Sequence, residues 1–165
     1  LSRFNFFSKI GAYSIDPDSP KKIMESLNYT IDILRENHEP VTINIYPQGE
    51  LLPNSTRPII FKKGLEKIVH SYRKKLNIVP LAIHIEFLNE QRPQAFFKFG
   101  NNFVSDHYDF PGVNTLGEET ERLLNEINAG IIAGKRGQVI FSGKKSVHET
   151  TDKFFSQLRK DQPND

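Results

Sequence analysis

Val41, Ile43 and Ile45 are separated by Thr42 and Asn44, a period of two that predicts a strand from Val41 to Tyr46 with one face in a core. Ahead of it, "GAYSI" predicts a short strand near Ala12 to Ile15. "DSPKK" then offers Ser19 as N-cap and Pro20 at the first helical position. Met24, Leu27, Ile31 and Leu34 follow at spacings of three and four, predicting a helix over 20–36. Leu65, Ile68, Val69 and Tyr72 repeat that period and predict a second helix over 64–75. "NIVPLAIHI" predicts a strand over Ile78 to His84. Its nearly continuous apolar run suits a strand covered on both faces of a parallel or mixed sheet. "QAFFKFG" adds a strand over Ala95 to Phe99.

Downstream, Leu116, Leu123, Leu124, Ile127 and Ile131 share one side of a helix, "QVIF" predicts a short strand, and "SVHETTDKFFSQLRK" closes as an amphipathic helix. The tail "DQPND" carries no core pattern and is expected to be disordered. Strands alternating with helices predict an α/β fold, a mixed and largely parallel sheet flanked by helices. No repeat and no linker divides the chain, so residues 1–160 are expected to form one domain, with 161–165 as the tail.

Composition narrows the classes. A chain of 165 residues with 37% hydrophobic and 25% charged residues can bury a core without metals or disulfides. The absence of cysteine removes thiolate catalysis, zinc-ribbon spacing and a disulfide framework, and suits a reducing, cytoplasmic compartment. A net charge of +2 is far from the excess of a dedicated nucleic-acid binder. No apolar run approaches the roughly 20 residues needed to span a bilayer.

The Val41–Tyr46 pattern stops at Pro47-Gln48-Gly49-Glu50. In open α/β sheets ligands bind beyond the carboxyl ends of strands. Gly49 permits close backbone approach or a positive φ, while Gln48 and Glu50 present an amide and a carboxylate. In order, "FFSKIGAYSIDPDSP", "IYPQGE", "FKKG" and "NIVPLAI" resemble the blocks of the glycerolipid acyltransferases, the lysophosphatidate acyltransferase relatives, over residues 4–104. Gly11 and Asp16 match a glycine followed by a strand ending Asp-Arg. Pro47 and Gly49 match Pro-Glu-Gly-Thr-Arg, Phe61 and Gly64 match Phe-x-x-Gly, and Val79 and Pro80 match a Val-Pro strand.

The resemblance implies transfer of a fatty acyl group from an acyl thioester, coenzyme A or acyl carrier protein, to a hydroxyl of a lysophospholipid or glycolipid acceptor. It needs no further cofactor, and no metal ligand set is implied. It also implies a peripheral location at the cytoplasmic face of a membrane. Gln48, Gly49, Glu50, Arg57 and Lys62 are the implied acceptor-binding residues. Pro17, Gln48, Glu50 and Leu51 replace the family's arginine, glutamate, threonine and arginine. An added carboxylate disfavours a phosphate dianion, which points to a hydroxyl on a sugar or another lipid head group.

The family's catalytic block is His-x-x-x-x-Asp, a base oriented by a carboxylate. None of His38, His70, His84, His107 or His148 has aspartate at that spacing, and "HETTD" places Asp152 one residue too near. The block lies upstream of the matching region in the family. The chain is therefore expected to lack the N-terminal part of such a domain, and no catalytic residue is assigned within it. A noncatalytic lipid- or partner-binding domain on the same fold is the alternative.

"GQVIFSGKKS" mimics a phosphate loop, but five residues separate Gly137 and Gly143, and Lys145 stands where Ser or Thr belongs. "SDHYD" groups Asp106, His107 and Asp109 without a second cluster at a metal-binding spacing. His84 alternates with Ile83 and Ile85, facing solvent or a hydrogen-bonding partner. Lys62 to Lys75 holds six basic residues and one acidic, either a solvated face or a contact for anionic lipid head groups.

Overall fold

The computed structural model describes residues 9, 11–13, 15–16, 18–88 and 92–143. Helix α1, Pro20–Glu36, starts where the sequence predicts. The Lys22 N–H donates to Ser19 Oγ at 3.4 Å, and Pro20 occupies the first turn. Asn37 ends it, its backbone and side-chain N–H groups both donating to the Ile33 carbonyl. The buried stripe runs Ile23, Leu27, Ile31 and Leu34. Met24, 40% exposed, lies one position off that stripe. Helix α2, Gly64–Tyr72, stops short of the predicted Lys75 because Arg73 adopts φ 59°. Ile68 of α2 packs on Leu27 and Ile31 of α1.

Beyond α2 come β1 (Leu76–Ile78), β2 (Leu81–Glu86), β3 (Gln94–Phe99), β4 (Phe103–Ser105) and helix α3 (Val113–Ile132). β1 pairs with β4 and β2 with β3, both antiparallel. The two pairs continue one ribbon through a bond from Gly100 N–H to the Pro80 carbonyl at 2.8 Å. Pro80 has no N–H to return, and the register slips here. Ile78 to Leu81 advances three residues while Phe99 to Phe103 advances four.

α3 lays Leu123, Leu124 and Ile127 on Ala82, with Ile59, Phe96 and Ile131 around them. Its C-terminus is a Schellman cap. Gly134, at φ 71°, donates to Ile131 O and Lys135 to Gly130 O. Near the N-terminus of α3, Leu116 is almost fully buried, as its spacing predicts.

This architecture corrects the expected fold. Among the described residues, three helices and two small antiparallel sheets stand in place of the largely parallel sheet. The connection from Glu86 to Gln94 is too short for the crossover of a dozen or more residues that parallel strands require, so the two runs close as a hairpin. Val41–Tyr46 belongs to no strand, and Tyr46 is 81% exposed. The described residues of Ala12–Ile15 form no strand, nor does 138–141, where Val139, Ile140 and Phe141 are exposed. An alternating run becomes a strand only when a neighbouring backbone supplies its hydrogen bonds, and none does at these three places among the described residues. The predicted helix over 146–160 and the 161–165 tail lie outside the described residues.

Candidate functional site

The strand-mouth premise falls with the Val41–Tyr46 strand, but the residues after it form a built corner. Pro47 and Gln48 occupy the centre of a turn closed by Gly49 N–H donating to Tyr46 O at 3.2 Å. Gly49 sits at φ 70°, a conformation that a side chain strains. Lys62 N–H donates to Pro47 O at 2.7 Å, tying the turn to the segment that leads into α2. The Lys62 stem then covers Gly49, where a Cβ would lie 3.3 Å from Cγ. Lys62 Nζ reaches Glu50 Oε1 at 3.2 Å. Both side chains are more than half exposed, so the pair contributes little to stability, and its value is positional.

Pro47, Gln48, Gly49, Glu50 and Lys62 thus share one corner, and Phe61 and Gly64 flank it. Phe61 is half-buried beside Lys62. Gly64 opens α2 beside α1, where a Cβ would make an ordinary contact with Leu27 Cδ2 at 3.6 Å. The remaining expected residues lie elsewhere. Arg57 turns onto its own loop and onto α3, donating to Asn54 O, Thr56 O and Asn125 Oδ1. Pro80 is buried at the break in the ribbon. Gly11 takes φ 75° in open space.

Asp16 accepts from Lys22 Nζ at 2.8 Å. That bond, with a second from Asp18 N–H, holds its carboxyl below the usual carboxylate range. Asp16 and Lys22 line an open cleft with Tyr13, Glu25, Ser26 and Tyr29. Tyr13 and Tyr29 meet edge to face there at 5.0 Å. The Tyr13 hydroxyl bonds Thr30 Oγ1, which itself donates to Ser26 O.

His84 is held at both nitrogens, with Asn54 Nδ2 3.1 Å from Nδ1 and Glu86 Oε2 3.4 Å from Nε2. The amide donates to Nδ1, which leaves the ring proton on Nε2 facing Glu86. Such an imidazole has no lone pair directed at a substrate. Glu86, beyond the end of the strand expected from the sequence, shares the His84 face because β2 runs on to it; Asn54 lies thirty residues away in the chain.

In "SDHYD", Asp106 Oδ1 accepts the N–H groups of Tyr108 at 2.8 Å and Asp109 at 3.0 Å. These bonds hold its carboxyl below the usual range. The aspartate therefore builds a turn. Among the described residues no three His, Asp or Glu side chains converge as metal ligands would, and no helix is long and apolar enough to cross a membrane. No protein-family model, curated protein or solved structure matches this chain.

Proposed function

We propose that this chain is an acyltransferase-like domain. On this reading a fatty acyl group passes from an acyl thioester, coenzyme A or acyl carrier protein, to a hydroxyl of a lysophospholipid or glycolipid acceptor at the cytoplasmic surface of a membrane. The observation that carries the reading is the bond from Lys62 N–H to Pro47 O at 2.7 Å with the Lys62–Glu50 pair above it. Two blocks of the resemblance, "YPQGE" and "FKKG", become one polar corner. Glu50 offers acceptor oxygens and Lys62 an ammonium with three donors, an arrangement suited to a hydroxyl, which both donates and accepts. Because Lys62 already faces a carboxylate, a phosphate dianion is the poorer fit.

In the transfer the acceptor oxygen bonds to the thioester carbonyl carbon, the C–S bond breaks, and the hydroxyl proton passes by way of a base to the departing thiolate, which leaves as the thiol. Among the described residues none is assigned as that base. His84, with both nitrogens engaged, favours a second reading in which the corner binds a lipid head group without turnover.

Acyl transfer by the encoded protein, assayed with a lysophosphatidate and a glycolipid acceptor, separates the readings. The enzyme is expected to prefer the hydroxyl-rich acceptor. Glu50→Gln is expected to cost on the order of 1.5 to 3 kcal/mol of transfer while the fold persists, and Gly49→Ala is expected to impair transfer with Glu50 intact. Acceptor binding without product would establish the binding domain. A preference for the phosphate acceptor, or full activity in both variants, would remove the corner from the site.

A further inference from the structure

The first turns of α1 carry a set of side chains that the corner at Glu50 does not use. Lys22, Glu25, Ser26 and Tyr29 stand three or four residues apart on one side of the helix. Tyr13 and Asp16 come in beside them from the preceding segment, and the six line a cleft of about 420 Å³, a volume in the range of small-molecule sites.

The two aromatic walls of the cleft are held in place. The Tyr13 hydroxyl bonds Thr30 Oγ1. Thr30 is almost fully buried and is itself fixed by donating to Ser26 O at 2.9 Å. Tyr13 is thereby anchored by its hydroxyl end, and Tyr29 meets it at 88° with ring centroids 5.0 Å apart. Both rings stay open to solvent, Tyr29 at 54% and Tyr13 at 36% exposure.

Charge and shape then narrow the ligand. Two carboxylates, Asp16 and Glu25, stand against one ammonium, Lys22, which is committed to Asp16 at 2.8 Å. Glu25 lies 3.9 Å from Lys21 Nζ, a loose and exposed pair. The cleft therefore keeps negative charge beside ring faces that are themselves electron-rich, and a cation complements both. A sugar or another flat ring stacks on a single open aromatic face. Two rings at right angles instead form a corner, which fits a rounded cation with apolar surface on every side. A quaternary ammonium has that form, and it has no N–H group to satisfy.

We propose that this cleft binds a quaternary ammonium, with Tyr13 and Tyr29 supplying the π faces and Glu25 the counter-charge. Free choline-type solutes and the choline headgroup of a lipid share this chemistry. The proposal is independent of acyl transfer.

Titration of the full chain with choline chloride, followed by carbon-13 NMR of the tyrosine rings, tests it. Tyr13 and Tyr29 are expected to shift together and saturably. The uncharged carbon analogue of choline, in which a tert-butyl group replaces trimethylammonium, is expected to bind several-fold more weakly. Tyr29→Leu is expected to weaken choline binding by about two- to fivefold, the measure of an exposed cation–π contact, whereas Tyr29→Phe keeps it. Glu25→Gln is expected to weaken binding several-fold at low salt and less at high salt. Tyr29 and Glu25 are both exposed, so α1 persists in each variant. Competition with phosphatidylcholine vesicles identifies the source: displacement of choline assigns the cleft to a lipid headgroup, and retention of choline assigns it to a free quaternary amine. Absence of shifts at Tyr13 and Tyr29, equal affinity for choline and its uncharged analogue, full binding by Tyr29→Leu, or a preference for methyl glucoside over choline would each overturn the proposal.

Discussion

Single residues hold the loops of this molecule, and Asp106 does so by charge. Its carboxylate accepts the backbone N–H groups of Tyr108 and Asp109, and those bonds favour the ionised form. The folded pKa lies below the ordinary 3.8. The stabilisation is therefore present above that value and is lost as pH falls through the lowered one. Carbon-13 NMR of the side chain is expected to give a midpoint below 3.8. Asp106→Asn, which keeps an acceptor oxygen, is expected to preserve the turn, whereas Asp106→Ala is expected to speed amide exchange at Tyr108 and Asp109. A midpoint at or above the ordinary value would contradict the turn geometry. Side-chain type made Asp106 conspicuous in the sequence, but its partners are backbone groups, which no residue pattern displays.

At the scale of elements, α3 is positioned by what it lacks. A Cβ on Gly117 would lie 2.7 Å from the Ile59 carbonyl oxygen, and Ile59 N–H donates to Glu121 Oε2 at 3.0 Å, so the helix and the 58–60 segment meet backbone to backbone. Gly117→Ala is expected to destabilise the protein by about 1 to 3 kcal/mol as the two are forced apart. Gly130→Ala meets only Lys135 O at an ordinary 3.6 Å and is expected to gain up to about 1 kcal/mol from helix propensity. Urea midpoints of the two variants check this contrast, and shifts of the same sign would count against the packing of α3 on that segment. The helical period of α3 is readable from its own leucines and isoleucines, while the reason for a glycine at 117 comes from a segment some sixty residues away.

For the whole molecule the relevant quantity is where charge is displayed. Lys62, Lys63, Lys67, Arg73, Lys74 and Lys75 are all exposed, from the segment leading into α2 to the turn after it. With this display we expect binding to anionic vesicles that weakens as salt rises, because the attraction acts within a Debye length, about 8 Å at physiological ionic strength. Flotation of the unmodified protein against Lys74→Glu with Lys75→Glu tests it without disturbing the Glu50–Lys62 corner. Equal binding by both proteins, or binding insensitive to salt, would exclude the basic cluster as a membrane contact.

The sequence by itself located the three described helices to within a few residues, because apolar spacing and the Ser19 cap act within one or two turns of chain, whereas the stop at Arg73 was not legible in it. It also marked the "YPQGE" corner, since a glycine at positive φ is a local demand. Only the tertiary structure decided which extended runs are strands. The spacing of Val41–Tyr46 is as regular as that of Leu81–Glu86, yet among the described residues only the second has a paired backbone. Arg57 and Lys62 divide in the same way: both are cations near the turn in sequence, and long-range packing delivers Lys62 to Glu50 but Arg57 to Asn125 on α3. Strand pairing and side-chain convergence are set by contacts between distant residues, whose geometry exists only once the chain has closed on itself.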